Sequence, residues 1–230
     1  MKQSIIFLHG LFGSLSNWQE SVNFFKNDYN IHVPTLSLYD RHQHHLLESL
    51  VEVLDKEIDT LGLKNVSMVG NSLGGHLAIL YAHCYPQKVD KLILTGSSGL
   101  YENFMIGSFP RRNDRKYIRA HIENVFHDPK HATEELIEEV FEVLSDNRKC
   151  IGIIKSAKAT QRHSVRDILP RIQKPVLLIW GDNDRVTPPE VAKEFAHLLP
   201  AASLLFFNEC GHAAMMEKPE DFNKALHGFL

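Results

Sequence analysis

The chain has no apolar stretch that approaches the ~20 residues needed to cross a bilayer as a helix. Its first residues, MKQSIIFLHG, run into an apolar segment without a signal-peptide cleavage pattern. A membrane span and export are therefore not expected, and the cytoplasm is the expected compartment. An excess of one charge is also missing: 25 Lys and Arg stand against 28 Asp and Glu, a formal net charge of -3. Neither nucleic acid nor an anionic membrane is expected as a partner. Cysteine is scarce, and the three residues, Cys84, Cys150 and Cys210, are widely separated. That spacing suits reduced thiols better than a disulfide framework or a zinc knuckle, with Cys84 expected on a buried helix face. Internal repeats, low-complexity tracts and long linkers are absent too. What remains is 230 residues with 43% hydrophobic and 23% charged side chains, enough for one sizeable core.

Short apolar runs alternate with amphipathic ones. Strands are expected at residues 4–8, 31–33, 66–69, 92–95, 176–180 and 203–207, and helices at 18–26, 46–61, 73–85, 190–198 and 220–229. In the second helix Leu46, Leu50, Leu54, Ile58 and Leu61 share a face. Such alternation implies βα units and an α/β fold: a mostly parallel sheet of about six strands flanked by helices, with ligands at the carboxyl ends of the strands. The pattern fails between Gly99 and Leu169, where helical periodicity recurs, as at 117–126 and 134–144, without a convincing strand. We expect residues 1–98 and 170–230 to form the core and residues 99–169 a helical cap folded over the strand ends as a mobile lid.

The segment VSMVGNSLGGHLAILYAHC, residues 66–84, is an apolar strand that breaks and resumes with helical period. The break is a sharp strand-to-helix turn. Gly70 and Gly74 flank Ser72 where larger side chains would collide, so the hydroxyl is expected to stand out over the strand ends. Helix N-terminal amides beside it favour negative charge during acyl transfer. The pattern is G-x-S-x-G. Read alone, a glycine-rich turn capped by serine competes with a nucleophile.

Other groups bear on that choice. After VLLIWG come Asp182 and Asp184 in the loop GDNDRVTP, where each is also a natural turn former. After the last strand, His212 follows Gly211 in a similar loop. All three sites follow strands, so one sheet edge presents them together. A serine hydroxyl needs a base to take its proton, an imidazole suits that task at neutral pH, and a carboxylate fixes the imidazole tautomer. The first strand ends in His9-Gly10-Leu11-Phe12-Gly13, a second glycine-rich turn whose amides suit an oxyanion hole together with the Leu73 N–H.

The elbow GNSLGG, the early HGLFGS, the GDNDRVTP loop and the terminal CGHAAMMEKPEDF, in this order, resemble the α/β-hydrolase superfamily over residues 4–230. The resemblance implies Ser72 as nucleophile, Asp184 as acid and His212 as base. It places the oxyanion amides on Leu73 and Leu11, with Phe12 as the alternative in a shifted turn, and gives His9 a structural role. It implies no metal and no cofactor. Two departures stand out. Asn71 precedes the nucleophile, a variant also found in the branch resembling carbon–carbon bond hydrolases of ring-cleavage products. Tyr39-Asp40-Arg41-His42-Gln43-His44-His45 replaces the usual D-x-R-G-x-G stretch. The antiparallel strands that often precede the first parallel one are not expected here.

His42, His44 and His45 lack a partner at metal-binding spacing and read as a solvated loop. Ser97 and Ser98, in GSSG, read as pocket lining or the start of the cap. Arg111, Arg112, Arg115, Lys116 and Arg119 read as a solvated helix face rather than a patch for anionic substrate. Three functional readings follow. The first is a serine esterase acting on a small-molecule ester, with thioesters and lactones as related substrates. The second is a carbon–carbon bond hydrolase of ring-cleavage diketones, and the third a ligand-binding or signalling protein that retains the triad. The esterase ranks first, as a monomer or small homo-oligomer.

Overall fold

The computed structural model describes residues 2–13, 18–38, 45–103 and 111–230. Six strands form one sheet in the order β2-β1-β3-β4-β5-β6, and every pairing is parallel. They are β1 (Ser4–Leu8), β2 (Asn30–His32), β3 (Val66–Asn71), β4 (Val89–Thr95), β5 (Val176–Gly181) and β6 (Ala202–Phe207). β1, β3 and β5 are buried along their whole length, because helices cover both faces and no residue on these strands can point to water. Edge strand β6 instead alternates between half-buried and exposed residues over most of its length.

Before residue 99 the helices are α1 (Gln19–Phe25), α2 (Leu46–Thr60) and α3 (Leu73–Cys84). After residue 169 come α7 (Pro189–Leu198), α8 (Ala214–Glu217) and α9 (Pro219–Phe229). In α2 the periodic residues Leu46, Leu50, Leu54 and Ile58 are buried, but Leu61, just past the helix end, is exposed. α3 differs from an amphipathic helix, for every residue from Leu73 to Ala82 is buried. It runs between the sheet and other helices, so no face meets solvent until its last turn. That explains a correction: Cys84 closes this helix and is exposed rather than buried, whereas Cys150 and Cys210 are buried. The short helix α8 carries no periodic signal of its own and was not expected.

Between β4 and β5 the described residues are helical: α4 (Arg115–Glu123), α5 (Glu134–Ser145) and α6 (Asn147–Arg162). Each starts at a side-chain cap, Asp114 accepting from the Lys116 and Tyr117 amides, Thr133 from Leu136 and Asp146 from Lys149. Three of the basic residues at the start of this region bond to α5 and α6. Arg119 pairs with Glu134 at 2.6 Å, Arg115 with Glu138, and Arg112 donates to Asn147. Among the described residues no helix is long and apolar enough to cross a membrane.

The strand order reverses between β1 and β3: the chain leaves β1 for β2 on one side and returns to add β3 on the other. Helices packed on opposite faces leave a crevice at that point. The turns after β1 and β3, which carry Leu11 and Ser72, open into it.

Candidate active site

Ser72 sits between β3 and α3 with φ 54 and ψ -119, a left-handed conformation rarely held by a residue with a side chain. Its amide donates to Thr95 O at 3.1 Å, and its carbonyl accepts from the Ser98 and His76 amides, each at 3.1 Å. These bonds hold the turn in place despite its strain. The turn also requires glycine: a Cβ on Gly74 would lie 2.2 Å from the Leu8 carbonyl oxygen, so the helix start is pressed directly onto β1.

The loops after β5 and β6 bring the other groups together. Asp184 and His212 are buried, and His212 Nδ1 lies 2.9 Å from Asp184 Oδ2. The Asp184 carboxylate is oriented by three further donors. Oδ1 accepts from the Val186 and Thr187 amides at 2.8 and 2.9 Å, and Oδ2 accepts from the Thr187 hydroxyl at 2.8 Å. Asp182, two residues earlier, is exposed and is not part of this arrangement. With a carboxylate on Nδ1, the imidazole carries its proton there and leaves Nε2 as the free base. Burial lowers the pKa of His212, but the Asp184 charge and hydrogen bond, with Glu102 and Glu217 beyond them, outweigh burial and raise it.

The histidine loop is tied on several sides. Asn71 Nδ2 donates to Thr95 O at 3.1 Å and to His212 O at 3.2 Å, so the residue before Ser72 links the two loops. The His212 amide donates to Val125 O at 2.9 Å, just beyond α4. Buried Glu217 accepts from the Gly211 amide at 2.7 Å and from the His127 and Asp128 amides at 2.8 and 3.3 Å. Gly96, with φ 51, packs so tightly on the imidazole that an added Cβ would lie 2.7 Å from His212 Nδ1. Thr187, Glu217 and Gly96 all fall within motifs visible in the sequence, yet spacing alone gave none of them a role.

Ser72 and His212 line one cavity of about 160 Å³. Gly10, Leu11, Phe12 and Asn71 form its floor, while Ile118, Ile122, Leu136, Val140 and Leu144 enter from α4 and α5. The turn carrying Leu11 closes with Gly13 N–H donating to Gly10 O at 3.2 Å. His9 steadies it: Nε2 accepts from the Leu36 amide at 3.1 Å, leaving Nδ1 to donate to Gly10 O at 2.7 Å. Leu73 is the first residue of α3, so its amide has no carbonyl within the helix to bond.

Some residues do not join this site. Ser97 and Ser98 are buried and do not line the cavity. Ser97 Oγ donates to Ser98 O at 3.0 Å, while Ser98 Oγ lies 3.4 Å from His76 Nδ1. Burial drives the His76 pKa down to about 3, with His163, 3.1 Å away, adding to the effect. His42 and His44 lie outside the described residues, and His45 is an exposed neighbour of Glu48.

The chain that carries this strained serine turn and the carboxylate-paired histidine matches the sequence pattern of the alpha/beta hydrolase family over residues 5–225. The chain belongs to the alpha/beta hydrolase family. Among solved members of this family, an alpha/beta hydrolase from the metagenome of lagoon sediments at Mar Chica, Morocco, is 36% identical, with a TM-score of 0.79 over 99% of this chain and 90% of that one. A 2-hydroxy-6-oxononadienedioate/2-hydroxy-6-oxononatrienedioate hydrolase from Burkholderia vietnamiensis is 31% identical over 77% of this chain. The match spans 66% of that relative's length. The 2-hydroxy-6-oxo-6-phenylhexa-2,4-dienoate hydrolase from Rhodococcus sp. strain RHA1 shares the fold, with a TM-score of 0.89 at 22% identity.

Proposed function

We propose that this alpha/beta hydrolase cleaves uncharged carboxylic esters through an acyl-enzyme, with Ser72, His212 and Asp184 as its triad. The observation that carries the reading is the 2.9 Å contact between His212 Nδ1 and Asp184 Oδ2 beside a mostly apolar cavity that Ser72 and His212 share. Ser72 Oγ attacks the ester carbonyl as its proton passes to His212 Nε2. The oxyanion is received by the amides of Leu73 and Leu11, with Phe12 as the alternative donor in the second turn. Collapse of the tetrahedral adduct breaks the carbon–oxygen bond, and His212 returns the proton to the departing alcohol. Water then repeats the sequence on the acyl-serine and releases the acid. Asp184 keeps the Nδ1 proton in place and stabilises the imidazolium.

In the same reading residues 99–169 are a helical cap over a core of residues 1–98 and 170–230. Apolar side chains of α4 and α5 supply the roof of the cavity. The hydrogen bonds from 125–128 to the histidine loop fasten this part of the cap, so opening must take place elsewhere in it.

A second reading, carbon–carbon bond hydrolysis, is favoured by the relatives that share about 31% identity and are named for ring-opened dienedioates. One experiment separates the readings. p-Nitrophenyl esters of increasing acyl length and a 2-hydroxy-6-oxo-dienoate are supplied to the wild type and to Ser72→Ala. The expected result is ester turnover by the wild type, peaking at a chain length set by the cavity, and a loss of roughly 10⁴ to 10⁶ in Ser72→Ala. Preference for the dienoate selects the second reading. Turnover of neither compound selects a binding protein, and activity retained by Ser72→Ala removes Ser72 from the mechanism.

A further inference from the structure

The loop that follows β4 returns to the cavity wall at Glu102. Its neighbour Asn103 is anchored on the Asp184 loop, the Asn103 amide donating to Val186 O at 2.7 Å and Nδ2 to Arg185 O at 3.0 Å. The anchor holds Glu102 against the cavity, which it lines with Ser72 and His212. Its Oε1 is enclosed and has no hydrogen-bond partner among the described residues. The Thr160 hydroxyl on α6, beside the carboxyl group, donates to Ala157 O at 2.8 Å. Burial pushes the Glu102 pKa up, while the neighbouring Thr160 hydroxyl and the nearby His212 pull against that rise.

Lys and Arg are missing from the described lining of the cavity, whose other ionisable groups are His121 and His212. His121 Nδ1 is taken up by Tyr117 O at 2.9 Å, and His212 is engaged with Asp184. The arginines at the start of α4 point toward acidic and amide partners on α5 and α6 and do not line the cavity. Among the described residues an incoming carboxylate thus meets no Lys or Arg and one carboxyl group, that of Glu102. Between the apolar walls of this half-open cavity that repulsion is screened less than in bulk water, and a charge without a partner loses part of its hydration.

We propose that Glu102 determines specificity, making this cavity select uncharged acyl substrates over carboxylate-bearing ones. The proposal rests on hydrolysis at Ser72 as described above. The mono-p-nitrophenyl ester of glutaric acid and p-nitrophenyl valerate have acyl chains of equal length and differ by a terminal carboxylate. The readout is the ratio of kcat/KM for the two esters, followed between pH 6 and 9, in which any general loss of activity cancels. The wild type is expected to disfavour the charged ester by on the order of 100-fold, and Glu102→Gln to narrow the ratio by about tenfold. Glu102→Ala, which also removes the charge, must move the ratio the same way. A ratio unchanged within about twofold by both variants, or a wild-type preference for the charged ester, overturns the proposal. Binding supplies an independent arm: both esters are titrated calorimetrically into Ser72→Ala and into Ser72→Ala/Glu102→Gln. If the wild type turns over neither ester, the hydrolysis reading fails, and the affinity ratio from calorimetry alone decides the role of Glu102.

Discussion

Replacing Asp184 with Asn removes one charge and inverts the direction of one hydrogen bond, and the structure dictates which one. Asp184 Oδ1 receives two backbone amides, from Val186 and Thr187, so the amide group of an asparagine cannot face them without losing both bonds. Its carbonyl must remain there, and its NH₂ takes the place of Oδ2, 2.9 Å from His212 Nδ1. A donor at that point forces Nδ1 to accept, so the imidazole carries its proton on Nε2 and cannot remove one from Ser72. We expect kcat to fall by roughly 10⁴, equivalent to about 5.4 kcal/mol of barrier. The surviving activity has a predictable pH dependence. In the wild type the base must be neutral, and the Asp184 charge holds its pKa above the ordinary 6.5, so kcat/KM falls as pH drops through that raised value. Without the charge, burial dominates, and the acid limb of the variant moves to lower pH. The assay is p-nitrophenyl ester hydrolysis between pH 5 and 9, with the fold checked by circular dichroism. Exposed Asp182, changed to Asn, is the control and should retain near-full activity. More than about a tenth of the activity left in Asp184→Asn, or greater damage in Asp182→Asn, would assign the orienting carboxylate to another residue.

Gly96→Ala puts a methyl group 2.7 Å from His212 Nδ1 at a residue with φ 51. Strain of about 1–3 kcal/mol and a displaced imidazole should lower kcat at least 100-fold while KM changes little; unaltered kinetics would show that the ring is not held by this contact. Glu217→Gln leaves at least one of three amides, those of Gly211, His127 and Asp128, facing a donor. A cost of about 2 kcal/mol should lower Tm by roughly 4–8 °C, as read by calorimetry, and a change under 1 °C would contradict the buried clamp.

Strand and helix alternation, read from the apolar periodicity, placed all six strands near their observed positions, because buried parallel strands are continuous apolar runs and their helices are not. Boundaries moved where tertiary pairing overrode composition: β4 begins at Val89 rather than 92 because Val89 pairs with Val66 on β3. Cys84 was misplaced because periodicity reports which residues share a helix face and not where along its length a helix emerges from cover. The strained serine turn was legible for a local reason. Gly70, Ser72 and Gly74 are close in the chain, so the steric demand of the turn is written in one short segment.

Contacts between distant segments were decided only by folding. Two aspartates in one loop are equivalent by composition, and the packing of the loops after β5 and β6 faces Asp184 to His212 while leaving Asp182 in water. Glu102, Thr187 and Glu217 gained their surroundings in the same way, each by meeting groups from another loop or from the helical segment between β4 and β5. The six strands, the helices around them other than α8, and the chemical types at one sheet edge were legible in the chain, since these follow from local sterics and from burial of apolar side chains. Folding alone settled which carboxylate orients the histidine, which one lines the cavity and which one binds the 127–128 amides to the histidine loop, because a carboxylate's role depends on the donors and charges within a few ångströms of it.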